Sequence, residues 1–556
     1  MRRLVSIFLI LIIFLIFILP DLSVGDIYDE QLNRGILNPE YYVYSILEKN
    51  KQNGYKDFPI KDLLKYAPDM PALYFELSKQ RFDFTPLGIL ESFDYLIKGI
   101  SKYKDNFWWL FSILSATSLS FILSFILAII VVVLLTFSKS LPLISHDINE
   151  DKKRIMIFLI FLLSFLGVFY FIGCCLLIVS LYLKHRERFI LYIYLIFLLI
   201  SPIVFYISSF VVNLPLSPKL KAIVEVNEAK GNAYALSTLK SGRDYVERFS
   251  YALALKREGM YDEAIDVYKD LLKEKEDFII YNNLANCYVG MNDLRKALEF
   301  YQSAINIQPN ATTFYNMSQV YREMLDFEKA DNYFSLSSKK DFNKIIRYRS
   351  ISNNNPNRFV IDIGLPTQTI FKYAVLNTSY RNLDTSVLPL YYYPIAAIII
   401  LALYLYLMQR LKVNAYSCKR CGSVFCKKCE KRLFWGDMCL QCYRSLIKLD
   451  ELEPKERISR LLKIYEYRSK KRNIIKILNM LVPGTGHVYA GSILQGLLFL
   501  WPLFFFTTLI ILNCFCSFGI NGYTHYWLNI ICLLLIAFTY IITNLITKRR
   551  LTRGWV

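Results

Sequence analysis

Histidine is scarce in this sequence: His146, His185, His487 and His525 are the four among 556 residues. No nucleophile motif accompanies them, so acid–base and acyl-transfer chemistry built on imidazole finds little support. Equally missing are Asp, Glu, Lys and Arg from the long apolar runs at 106–136, 189–213, 390–408, 492–512 and 525–547. Ion-coupled transport and proton relays place ionisable groups inside such runs. A transporter or membrane enzyme is therefore the alternative reading rather than the leading one.

Apolar residues are what the chain has in excess: 54% are hydrophobic, 16% aromatic, and the mean hydropathy is +0.32. A helix of ~20 apolar residues crosses a ~30 Å hydrocarbon core, and each of the five runs reaches or approaches that length. A sixth block, 155–183, is longer than one crossing requires. The composition predicts an all-α protein of polytopic membrane helices with polar regions at 26–105, 214–389 and 409–478.

The net charge of +20 is unevenly shared. Residues 26–105 hold 11 Lys/Arg against 13 Asp/Glu, and 214–389 hold 23 against 21. The surplus lies in 411–478, with 18 basic and 7 acidic residues. Basic loops beside membrane spans stay in the cytoplasm, so this run is first a topology signal. It could also attract anionic lipid headgroups, at ~1 kcal/mol per basic residue near the surface. Nucleic acid is the less economical partner for it.

Arg2 and Arg3 precede an apolar stretch at 4–19, and Ser23, Val24 and Gly25 stand where a signal peptidase would read. Residues 1–25 thus read as a signal peptide, cleaved or kept as an anchor, with 26–105 delivered outside. The span at 106–136 then returns the chain to the cytoplasm. One crossing by 155–183 would expose both the basic cluster at 184–188 and the later basic region. Gly167 and Gly173 near the middle of that block instead point to a short hairpin entering and leaving on the cytoplasmic side, since 29 residues are too few for two full spans. With that parity 214–389 is external, 390–408 re-enters, 409–478 is cytoplasmic, and the final pair of spans leaves 548–550 inside.

Ala264, Ala297 and Ala330 recur every 33 residues. Tyr281, Leu284, Ala285, Tyr288, Tyr301, Ala304 and Pro309 fill out one copy, and GMYDEAIDVYKDLL, NDLRKALEFYQSAI and LDFEKADNYFSLSS read as one helix three times. The region 214–345, with 219–242 as its cap, resembles a tetratricopeptide-repeat solenoid, whose period is ~34 residues. In such a stack the alanines let paired helices approach, while Tyr268, Tyr301 and Phe334 fill the gap to the next repeat. The resemblance implies a concave surface for extended peptides or partner helices, hence a protein partner. Bracing of the membrane part is the plainer alternative. Within 26–105, PALYFELSKQRF and LGILESFDYLIKGISKY form an apparent helix pair of degenerate repeat character. Residues 346–389, with Asn/Pro punctuation and short β-branched runs, read as an irregular or extended connector.

Between 418 and 442 lie three Cys-x-x-Cys pairs: Cys418 and Cys421, Cys426 and Cys429, Cys439 and Cys442. Each pair offers two thiolates from one turn, and a tetrahedral zinc needs two pairs. Seventeen residues separate Cys421 from Cys439, within the window of a four-cysteine site, whereas four separate Cys421 from Cys426. CKRCGSVFCKKC resembles zinc-ribbon and FYVE-like modules, in which adjacent pairs serve different metals. Cys418, Cys421, Cys439 and Cys442 are the first ligand set. Cys426 and Cys429 are alternative ligands or half of a second site. All-thiolate coordination leaves no open position, so the zinc would be structural.

The last region, 479–556, contains GHVYAGSILQGLL. It resembles the Gly-His-x-Tyr-x-Gly lead-in of small bacterial two-helix membrane hairpins, with His487 packing at the interface. Taken in order, these segments resemble uncharacterised multi-span bacterial proteins with tetratricopeptide repeats. That resemblance implies a multi-pass protein of the bacterial inner membrane, with external repeats and a cytoplasmic zinc module. The expected role is a non-enzymatic scaffold or adaptor for envelope proteins. The alternative is a transporter or an enzyme component of envelope biogenesis.

Overall fold

The structure, a computed structural model, describes residues 38, 40–52, 60–147, 167–185, 187–346, 348, 360–377, 392–410, 415–425, 438–447, 453–516 and 526–553. The signal-peptide stretch 1–25, the first arm of the expected hairpin up to residue 166, and Cys426 and Cys429 lie outside these residues. The chain forms two compact units. One comprises residues 1–111 and 213–379, the other 112–212 and 380–556. The fold is all-α, with one two-stranded antiparallel hairpin among the described residues.

In the first unit, three helix pairs follow one another: Tyr245–Arg257 with Tyr261–Glu274, Phe278–Gly290 with Leu294–Ile307, and Ala311–Glu323 with Phe327–Lys340. Asp244, Asp277, Asp293, Asn310 and Asp326 each cap a helix by accepting a backbone N–H two or three residues on, which satisfies donors the helix start leaves open. The turn inside each pair holds one left-handed residue: Gly259 (φ +82°), Asn292 (φ +63°) and Leu325 (φ +61°), again 33 residues apart. Ala264, Ala297, Ala330, Tyr268 and Tyr301 are fully buried. Phe334 is half-buried against a terminal cluster of Ala311, Tyr315, Ile345, Tyr348 and Ile361.

The same unit contains Pro71–Arg81 and Pro86–Ser101, the pair expected from 71–103. Ser78 and Ser92 exchange hydroxyl-to-carbonyl hydrogen bonds at 2.6 and 2.8 Å, so the two helices meet at small residues. A buried ion cluster ties this part to the cap of the repeats: Lys230 Nζ lies 2.5 Å from Glu40 and 2.8 Å from Glu228. The Phe107 amide donates to Glu228 Oε1 at 2.7 Å. The two helical regions therefore form one body rather than separate modules.

The supposed connector is also more than a link. Residues 361–366 run extended, and Thr367–Asn377 is a helix. It starts after Pro366, whose carbonyl accepts the Thr369 amide, and it buries Ile370, Tyr373 and Ala374.

Five helices among the described residues are long and apolar enough to cross a membrane: Phe107–Asp147, Phe189–Leu216, Tyr392–Arg410, Ile493–Phe515 and Tyr526–Thr552. They fall on the five runs expected from hydropathy. The first has 41 residues and at 1.5 Å per residue extends about 60 Å, far beyond a hydrocarbon core. Its final turns carry Lys139, which lies 3.9 Å from Glu187. Val168–Tyr182 is a shorter apolar helix that begins after Gly167 at φ +132°. Gly173 is no turn: it sits inside this helix, where a Cβ would come within 2.8 Å of Ile400. Packing, rather than chain reversal, explains that glycine.

Candidate functional site

The first helix of each repeat carries polar side chains on the inner face of the stack. Asn282, Asn283, Asn286 and Asn316 are all fully buried, although asparagine is a poor helix former. Their amides are spent on the extended segment 361–366. Asn316 accepts from the Ile361 N–H at 2.8 Å and donates to the Ile361 carbonyl at 2.8 Å. Asn286 and Asn282 donate to that same carbonyl at 3.0 and 3.3 Å. Two residues further, Asn283 accepts from the Ile363 N–H at 2.9 Å and donates to its carbonyl at 2.8 Å. Alternate residues of an extended strand point their main-chain groups the same way, so two asparagine forks grip positions i and i+2. At its far end the Leu365 N–H donates to Asn227 Oδ1 at 2.8 Å.

Between the two forks lies Asp362, its side chain 5% exposed. Lys256 Nζ approaches one carboxylate oxygen at 2.7 Å and Arg257 Nε the other at 3.2 Å, while Asn286 donates at 2.8 Å. Burial by itself would raise this carboxyl. The charges of Lys256 and Arg257, with the hydrogen bonds from Lys256 and Asn286, overcome it and hold Asp362 at about 2. The tyrosine of the second repeat supports the arrangement from behind, with the Tyr301 hydroxyl donating to Asn286 Oδ1.

None of these groove residues was singled out from the sequence. A signal existed: Asn283 and Asn316 are one repeat apart, with Ser250 at the equivalent place in the first copy. A period kept by a polar residue inside a helix is the mark of a shared inner surface.

The second unit holds the cysteine cluster. Tyr416–Ser417 pairs antiparallel with Val424–Phe425, and the turn between them carries Cys418 and Cys421. Gly422 closes that turn at φ +76°, its N–H donating to the Cys418 carbonyl at 3.0 Å. Cys439 caps the helix Leu440–Leu446, whose first turn presents Cys442. The four Sγ atoms of Cys418, Cys421, Cys439 and Cys442 lie within 4.8 Å of one another, with Cys421 and Cys439 at 3.9 Å. Four thiolates around zinc at ~2.3 Å would stand about 3.8 Å apart. The amides of Arg420 and Cys439 point at Cys418 Sγ, each at 3.4 Å, as suits a thiolate. Hydrogen bonds from Cys421 and Cys442 hold the Cys418 thiol well below its ordinary range, while burial pushes Cys439 up to about 11. Geometry and donor set are compatible with zinc. Met438 and Ile464 close the cluster on its buried side.

His487 is buried, with Nε2 3.0 Å from the Thr547 hydroxyl. It lies in Thr485–Ala490, a short helix flanked by Gly484 and Gly491, both left-handed. Asn479 secures the turn, accepting the Gly484 N–H at 3.0 Å and donating to Asn544 at 3.0 Å.

Comparison with known proteins bears on the repeats. The tetratricopeptide repeat family model matches residues 278–310, the helix pair that supplies Asn282, Asn283 and Asn286. Two Saccharomyces cerevisiae proteins, the mitochondrial import receptor subunit TOM70 of strains YJM789 and S288c, are each 41% identical over 71 residues. That stretch is 12% of this chain and 12% of theirs. The likeness is thus confined to a repeat-sized part, and the chain spans about an eighth of these relatives.

Proposed function

We propose that this chain is a membrane-embedded scaffold that binds partner proteins through its tetratricopeptide-repeat groove. The observation that carries this reading is the asparagine set, which pairs with the main chain of an extended segment. Every polypeptide offers that main chain, whereas a brace would need only apolar packing. The yeast proteins that share the repeat stretch are named as receptor subunits, and recognition is the role the groove supports here.

The topology belongs to the same proposal. Residues 1–25 direct export, 26–105 and 214–389 are external, 155–183 is a cytoplasm-facing hairpin, and 409–478 is cytoplasmic in a bacterial inner membrane. Support comes from the basic surplus of 411–478 beside spans. The zinc module then occupies a reducing compartment, where thiols stay available for metal. Cys418, Cys421, Cys439 and Cys442 would hold the zinc and fold the knuckle about it. Anionic lipid would meet the basic helix Pro454–Leu481.

Two experiments test the proposal. Crosslinking in native membranes with the full chain as bait should capture protein through the repeat region, and Asn283→Ala with Asn316→Ala should abolish that capture. Reporter fusions near residues 60, 145, 186, 300, 450 and 518 should report outside at 60, 300 and 518 and inside at 145, 186 and 450. An outside signal at 450 would contradict the topology.

A further inference from the structure

The strand in the groove belongs to the same chain, and its contacts show what the groove selects. The asparagine forks address only main-chain N–H and C=O of Ile361 and Ile363, so they impose an extended backbone and no particular side chain. Side-chain selection falls to two other features. Ile361 packs among Ala311, Tyr315, Ile345 and Tyr348, which calls for an aliphatic residue. Asp362 places its carboxylate between Lys256 and Arg257, whose side chains are 13% and 6% exposed. Two largely buried cations left without that carboxylate would be strongly unfavourable. A groove vacated by this strand therefore needs another acidic ligand.

We propose that residues 360–366 are an intramolecular stand-in for the groove's ligand. The partner is an extended polypeptide with a carboxylate side chain flanked by aliphatic residues, and it competes with this segment for the same asparagines, Lys256 and Arg257. This deepens the protein-binding reading and rests on it for the identity of the binding surface. The last repeat helix ends at Lys340 and the strand begins 20 residues later, at 360. A tether that short presents its end at an effective concentration on the order of mM. A partner must outcompete that level, so weak or non-acidic peptides are excluded while a matched one is admitted. The helix Thr367–Asn377 stays anchored by Tyr373, whose hydroxyl donates to Glu247 at 2.6 Å, which lets the strand leave without releasing the rest.

The test uses the full chain in nanodiscs and a fluorescein-labelled peptide of residues 359–366, FVIDIGLP, followed by anisotropy. The peptide is expected to bind the Asp362→Lys chain at least tenfold more tightly than the wild type, because the variant strand is repelled by Lys256 and Arg257. The same peptide carrying Asp362→Lys is expected to bind neither. Absence of binding to the Asp362→Lys chain, or equal affinity for the two peptides, would overturn the proposal. The gentler Asp362→Asn chain should show the same order with a smaller ratio, which covers any folding defect of the lysine variant. In wild type, saturating peptide should speed hydrogen exchange at the Ile361 and Ile363 amides at least tenfold and leave the repeat helices unchanged. Unaltered exchange would also overturn it. No cellular partner enters these measurements, so their failure leaves the scaffold reading standing. Failure of crosslinking in native membranes would contradict the scaffold reading alone.

Discussion

Asp362 concentrates the energetics of the groove in one side chain. Its carboxyl is held at about 2, below the ~3.9 of an unfolded aspartate. A group depressed in this way adds stability above its unfolded pKa and loses it as pH falls through the folded value. The window is therefore roughly pH 4 to 2, and the shift corresponds to about 2 kcal/mol. The thermal midpoint of the wild type should fall more steeply across that window than the midpoint of Asp362→Asn. Parallel pH profiles for the two would show that the ion pairs contribute nothing. Behind it, Tyr301→Phe removes the hydroxyl that Asn286 accepts from while keeping the ring that fills the repeat interface. It should cost about 1 kcal/mol, read as a lower melting temperature. Tyr301→Ala should cost several times more by opening a cavity, about 3–5 kcal/mol.

At the scale of the element, the repeat turns make a sharper prediction. Gly259 and Leu325 occupy equivalent left-handed positions, yet a β-carbon there costs roughly 1–2 kcal/mol. Leu325 is 74% exposed, so little packing compensates. Leu325→Gly should stabilise the third repeat by about 1 kcal/mol, and Gly259→Ala should destabilise the first by a similar amount, both measured by thermal unfolding in detergent. This scale also shows what the sequence could and could not reveal. The alanines at 264, 297 and 330 were legible because close helix approach permits nothing larger, and that demand repeats with the fold. The pairing of Cys418 and Cys421 with Cys439 and Cys442 could be expected from spacing, since a knuckle and a helix start need a loop between them. The groove was not legible. Its ligand strand lies 45 residues beyond Asn316 and 80 beyond Asn283, and what the asparagines recognise is main chain, which leaves no mark in composition. The helix Thr367–Asn377 was hidden by the Asn and Pro residues preceding it, which read as punctuation.

For the whole molecule, the two units divide the work by solvent. The repeat unit uses caps, asparagines and ion pairs suited to water. The other unit carries the apolar helices and, beyond them, the cysteine knuckle and the basic helix. If the knuckle is a zinc site, the purified chain should carry one zinc per molecule by elemental analysis. Cys418→Ser or Cys442→Ser should lose it, while Cys426→Ser with Cys429→Ser should retain it. Loss of zinc in the second variant and retention in the first would move the site to the middle cysteine pair.

The account stands on the groove as a polypeptide-binding surface, and quantitative crosslinking in native membranes tests that most directly. Wild type, Asp362→Lys and the pair Asn283→Ala with Asn316→Ala would be compared at equal expression. The expected order is most captured protein with Asp362→Lys, less with wild type and none with the asparagine pair. Equal capture by all three would show that partners, if any, bind elsewhere on the chain.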